Sequence, residues 1–200
     1  MRAALLFPLL TLGGAVGDAV DEIVIGEAVE LTAESCGAAD VGPVVGGVDI
    51  LETFRLAQAN MTSEPPPMGL PRYNWTDEEG YTFYFLSQAN ADEFGANQNK
   101  YPLGSGGYCG LASSGIDPSC AFEGCKGPAC ITEALYEIST DGKLYFFFGA
   151  DGQVAYDDGE PSSSAGSAAL LAKVEADKGG KCYNTDYSAC TPALQHLTQI

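Results

Sequence analysis

The sequence is short of cations and almost without histidine. It has 9 Lys+Arg against 27 Asp+Glu, a formal charge of −18, and His196 is its one imidazole. So acidic a surface repels phosphate backbones, so no nucleic-acid partner is expected. A single histidine near the C-terminal end removes most His-dependent triads and imidazole metal sites, and no Ser-His-Asp or Cys-His arrangement is visible. No segment approaches the roughly 20 apolar residues of a membrane-spanning helix, so no membrane span is expected. No repeat of useful length is evident either.

Apolar residues are not scarce. They make up 46% of the 200 residues, with ten Tyr and nine Phe, which excludes a disordered chain and is enough for one domain with appendages. The acidic surplus reads as solubility, because the densest carboxylate groups, Asp77-Glu78-Glu79 and Asp157-Asp158-Gly159-Glu160, lack the spacing of a calcium loop.

Met1-Arg2, the apolar run Ala3 to Leu12 and the small residues up to Gly17 have the grammar of a secretory signal peptide, cleaved after Gly17 or Ala19. Export agrees with two glycosylation sequons, at Asn60 and Asn74, and with seven cysteines downstream of the cleavage site. The expected localisation is extracellular or the lumen of an endomembrane compartment. In that setting Cys36, Cys120, Cys125, Cys130, Cys182 and Cys190 are disulfide candidates, with 15 possible connectivities. Cys182 and Cys190 are spaced to close a local loop. The neighbouring cysteines of the 120–130 stretch sit at the outer limit of zinc-knuckle spacing, so no metal ligand set is assigned. Seven is odd, so at least one thiol is free or pairs between chains; if the other six pair, Cys109 is the free one.

Residues 20–40 alternate acidic and apolar residues, as either a short amphipathic helix or a solvated leader. Val48 to Asn60 reads as a strand turning into a helix, and Ser63 to Pro67 as an exposed polyproline-like break. Tyr81, Phe83 and Phe85 share one face of a half-buried strand. Ser87 then caps a helix to Asn97, with Phe94 as its core anchor. Ala134 to Phe148 is a hairpin around Asp141-Gly142, Asp151-Gly152 turns the chain into a further extended stretch at Val154–Tyr156, and Ala168 to Lys178 is helical. The fold class is therefore α+β: a small antiparallel sheet with a β-hairpin and short helices, stabilised by disulfides.

The run Tyr84-Phe85-Leu86-Ser87-Gln88-Ala89-Asn90-Ala91-Asp92-Glu93-Phe94, then Asn97, Tyr101-Pro102 and Gly106-Gly107-Tyr108-Cys109, resembles the YHS-domain family. Asp49 and Phe54 match the family's opening motif, and Ile116-Asp117-Pro118, Asp141 to Tyr145 and Ala176-Asp177 resemble its longer secreted or periplasmic members. The resemblance implies a YHS-like domain over residues 47–178, with an insertion at 57–72 and a Cys-rich loop at 117–130. An acidic leader (18–46) precedes it and a Cys-containing tail (179–200) follows. Metal-handling members carry Cys where this chain has Leu86 and Asn90, which removes the thiolate ligands of that site.

The function expected is a secreted, non-catalytic binding or structural module for an unknown small molecule or protein, without a cofactor. Tyr84, Tyr101, Tyr108 and Cys109 are its ligand-binding candidates. The alternatives are a metal-ion-binding protein using carboxylates or thiolates, and a thiol-dependent enzyme using Cys109.

Overall fold

The computed structural model describes residues 36–114, 134–147 and 149–185. The signal segment, most of the acidic leader, the Cys-rich loop and Cys190 lie outside the described residues.

Helix α1 (Ile50–Gln58) starts where Asp49, an extended N-cap, accepts the Glu52 N–H at 2.9 Å. Ile50, Leu51, Phe54 and Ala57 bury one helical face. The chain then returns closely rather than looping out. Val48 bridges Met68, and the N–H groups of Asp49 and Gly69 reach Pro67 and Gly47 carbonyls at 2.8 Å. The 57–72 segment is thus stitched to the body, and of the polyproline-like break only Ser63 to Pro65 is exposed, because Pro66 is buried beside that seam.

Strand β1 (Leu70–Thr76), which carried no strand signature of its own, pairs antiparallel with β2 (Thr82–Phe85). Asp77 makes the turn by accepting Glu79 and Tyr81 N–H groups on one oxygen, at 3.0 and 2.9 Å. As expected, Phe83 and Phe85 face inward while Thr82 and Tyr84 are half-buried on the other face. Helix α2 (Gln88–Ala96) is capped by the Ser87 side chain on Asn90 N–H. Phe94 anchors it at 5% exposure, with Phe83, Phe85 and Trp75 ring centroids 5.1–5.6 Å away. Burying that ring stabilises the fold by about 2–3 kcal/mol.

A short helix α3 (Gly110–Ser114) leads to the second hairpin, β3 (Leu135–Ile138) with β4 (Leu144–Phe147), in register Ile138↔Leu144. Asp141 closes its turn by accepting the Lys143 N–H at 3.1 Å, as the Asp-Gly signal requires. The two hairpins form two separate two-stranded sheets, not the single sheet expected. The extended stretch expected at Val154–Tyr156 is instead inside helix α4 (Ala150–Asp158). Tyr156 is fully buried on that helix against Tyr145 and Phe147, and this tertiary burial overrides the β preference of Val-Ala-Tyr. Helix α5 (Ser162–Lys178) begins six residues earlier than expected. Its extra turns pack closely on α3 through small residues: a Cβ on Gly166 would lie 2.3 Å from the Ser114 carbonyl, and Ser167 bonds Ser113 at 3.0 Å.

The chain does contain a short repeat. A 3-10 turn, a helix, an antiparallel hairpin and a further helix occur twice among the described residues, between 44 and 96 and between 104 and 158. Val45, Gly46 and Gly47 have φ of 50, 61 and 87°, while Ser105, Gly106 and Gly107 have 51, 62 and 86°. In each copy the second residue after the turn directly precedes the helix, and a hydroxyl four residues on bonds back to it: Thr53 to the Asp49 carbonyl at 2.8 Å, Ser113 to the Cys109 carbonyl at 3.1 Å. The sequence trace is faint, Val-Val-Gly-Gly-Val-Asp-Ile-Leu against Gly-Ser-Gly-Gly-Tyr-Cys-Gly-Leu.

A C-terminal strap, residues 181–185, closes the body. The Asn184 N–H reaches the Gly106 carbonyl (2.8 Å) and its carbonyl takes the Val45 N–H (2.9 Å), so the strap joins the two equivalent turns. A Cys36–Cys182 disulfide fixes it, in place of the local Cys182–Cys190 loop expected from spacing. Val44, Val45 and Cys182, which lie outside residues 47–178, are fully buried. No helix among the described residues is long and apolar enough to cross a membrane.

Candidate functional site

A pocket of ≈ 250 Å³ opens between α2 and the strap. Its floor is Ile50 at the start of α1, Phe83 of β2 and Phe94 of α2. The turn that follows α2 supplies Gln98, Asn99, Tyr101, Pro102 and Leu103, and the strap supplies Lys181 and Tyr183. The local sequence explains the shape. Helix α2 ends at Asn97 and tightens into a 3-10 turn, so the amides come to the rim while Tyr101 folds back to stack on Phe94 (6.2 Å, 25°).

Tyr183 closes the opposite wall, edge-on to Tyr81 and Phe83 with centroids at 5.0 and 5.4 Å. Burial pushes its phenol above the ordinary range, with Asp77 adding to the effect. Tyr101 donates to Glu93, and that bond raises its pKa and lowers that of Glu93. Both phenols stay protonated at neutral pH, and the Tyr101 proton is already given to Glu93. Arg55 completes this exposed edge by pairing with Glu93 at 2.8 Å.

Lys181 is the charged side chain of the pocket wall. Its ammonium lies 3.6 Å from Asp77 Oδ2, an atom that is buried and takes no hydrogen bond among the described residues. Glu79 accepts the Lys181 N–H (2.8 Å), and the Tyr81 hydroxyl reaches the Lys181 carbonyl (3.2 Å). The acidic Asp77–Glu79 run is therefore a hairpin turn that positions a cation.

The four ligand-binding candidates are not gathered in one place. Tyr101 lines the pocket, but Tyr84 lies on the outer face of β2, where a Cβ on Gly47 would meet its ring at 2.9 Å. Tyr108 is buried on the disulfide side, with its hydroxyl accepting the Gly37 N–H at 2.9 Å. Cys109 is a free thiol at 2% exposure, packed with Leu111, Tyr145, Phe147 and Tyr156. Of the pocket residues, Gln98, Asn99, Lys181 and Tyr183 escaped the sequence reading. The strap carries one usable signal, Gly179-Gly180 ending a helix immediately before a cysteine pair partner.

The Leu86 backbone and the Asn90 side chain both reach Asp49. The buried Asp49 Oδ2 accepts the Leu86 N–H and the Asn90 Nδ2 at 2.7 Å each. That arrangement fully engages the carboxylate. Among the described residues, no group of three or more His, Cys, Asp or Glu is placed to hold a metal ion. Glu160 of the second acidic run is taken up by Ser139, Thr140 and Ser164. No family model, curated protein or solved structure matches the chain.

Proposed function

We propose that the chain is an exported, non-catalytic binding module of the YHS-like kind, and that the pocket beside Tyr101 is its ligand seat. The observation that carries this reading is the make-up of that pocket. An apolar aromatic floor meets a few polar groups on a rim held by an α-helix end, a hairpin turn and a disulfide-tied strap. Pre-ordered walls of this kind reduce the ordering cost of binding. The burial of Cys109 in an apolar cluster weighs against thiol chemistry, because reactive thiolates need access and a neighbouring cation.

Export is supported by the apolar N-terminal run, by the Cys36–Cys182 bond and by both sequon residues, Asn60 and Asn74, being exposed. The test is a thermal-shift screen of small aromatic and aliphatic molecules on the full chain beside the variant Gln98→Trp. Binding seated here raises the wild-type melting temperature and loses that rise in Gln98→Trp, whose indole fills the rim. Hits that stabilise both proteins equally would place the ligand elsewhere.

A further inference from the structure

We infer that the ligand of this pocket is a small aromatic carboxylate of single-ring size; this deepens the reading of the pocket as a ligand seat and rests on it. Three observations lead there. First, at ≈ 250 Å³ the cavity is below the roughly 300–1,000 Å³ that holds drug-sized ligands, so one ring and a short substituent fill it. Second, the walls are flat. Phe83 and Phe94 form the floor and Tyr101 and Tyr183 the sides, which offers stacked and edge contacts to a ring.

Third, the pocket wall has one charged side chain, and in a chain with three acidic residues for every basic one it is a cation. The Lys181 ammonium is ion-paired with Asp77 at 3.6 Å, beyond hydrogen-bond distance, and its half-exposed side chain leaves its N–H donors free to turn to a ligand. The Tyr183 hydroxyl and the Gln98 and Asn99 amides add neutral polar groups to the same pocket lining. Asp77 and Glu79 stand beside Lys181, while acidic side chains farther than about 8 Å are largely screened at physiological ionic strength.

The test compares phenylacetate, its neutral isostere 2-phenylacetamide and the cation benzylamine, all titrated into the full chain. Trp75, the one tryptophan, touches Phe83 and Phe94 at 5.7 and 5.6 Å, so its emission reports on the pocket floor. Phenylacetate is expected to bind about tenfold more tightly than the amide at low salt, with benzylamine weakest. Raising the salt concentration narrows the difference, and Lys181→Met removes it. Equal affinity for carboxylate and amide in the wild-type chain, or tightest binding of the amine, overturns the inference and leaves the seat itself standing. Absence of any emission change with all three probes overturns both. The salt dependence needs no variant, so it decides the question even if Lys181→Met does not fold.

Discussion

Asp49 and Cys109 occupy the same position in two copies of one local structure, each directly before a helix and each receiving a back-bonded hydroxyl from four residues on. Their side chains differ in what surrounds them. Asp49 accepts three hydrogen bonds, from Glu52, Leu86 and Asn90, whereas Cys109 packs among apolar and aromatic side chains. Asp49→Ala leaves two part-buried donors without their acceptor and removes a helix cap, and is expected to cost about 2 kcal/mol. Cys109→Ala removes one small group from a packed cluster and is expected to cost about 1 kcal/mol. Urea unfolding of both variants checks the order; equal losses would contradict it.

The burial of Cys109 gives a second outcome. In the native, unreduced protein a maleimide is expected to leave Cys109 unmodified over the time in which urea-unfolded chain reacts completely, since the thiol is 2% exposed. Peptide mapping by mass spectrometry reads this directly. Rapid native labelling of Cys109 would reopen the thiol-enzyme reading.

Gly106 and Gly142 both have positive φ, 62 and 79°, yet they differ in surroundings. A Cβ on Gly106 would stand 2.0 Å from the Cys182 carbonyl oxygen, while one on Gly142 meets nothing within 4 Å. Gly142→Ala is expected to cost about 1 kcal/mol of backbone strain. Gly106→Ala adds a clash with the strap and is expected to cost at least about 3 kcal/mol. Comparable melting temperatures for the two variants would contradict this placement of the strap.

What was legible in the sequence follows from these local causes. Ser87, Phe94 and Asp141-Gly142 act through neighbours a few residues away, so cap, anchor and turn could be read directly. The pocket could not. Tyr101 meets Tyr183 and Lys181 across it only because the strap returns some 80 residues later, tied by a bond to Cys36. Helix α4 was misread because the burial of Tyr156 among distant rings, not local propensity, decides its conformation. The repeat was hidden because backbone geometry preserved it while side chains diverged, retaining little beyond Gly46-Gly47 and Gly106-Gly107.

The Cys36–Cys182 bond spans 146 residues, and cross-links of long loops restrict the unfolded chain most. The double variant Cys36→Ser/Cys182→Ser is expected to lose about 2–5 kcal/mol of stability. It is also expected to weaken phenylacetate binding, because Lys181 and Tyr183 lie beside the lost tether. Calorimetry and Trp75 emission read the two effects separately. Unchanged stability would contradict the role assigned to the strap.

Glu137 on β3 is partly buried beside Asp157 and bonded by Gln153 of α4, and its carboxyl is pushed up to about 7 by burial first and by Asp157 next. A carboxyl raised in the folded state binds more protons there than in the unfolded chain between about 4.5 and 7. Its contribution is therefore complete below about 4.5 and lost as the pH rises through 7. Glu160, whose pKa is lowered mainly by bonds from Ser139 and Ser164 against its burial, acts in the opposite sense and below 4.5, outside this window. Urea unfolding from pH 4.5 to 8 should show stability falling in the wild type and a shallower fall in Glu137→Gln. Identical pH profiles would contradict the assignment.

The central claim is that Tyr101 and the strap enclose a ligand seat, and ring-proton NMR of the full chain during phenylacetate titration tests it most directly. The account predicts saturable shifts of the Tyr101, Tyr183, Phe83 and Phe94 rings, with intermolecular NOEs from those rings to the ligand and none from Tyr84 or Tyr108. NOEs to Tyr84 or Tyr108 in place of the pocket rings, or no saturable shift at any of them, would contradict it.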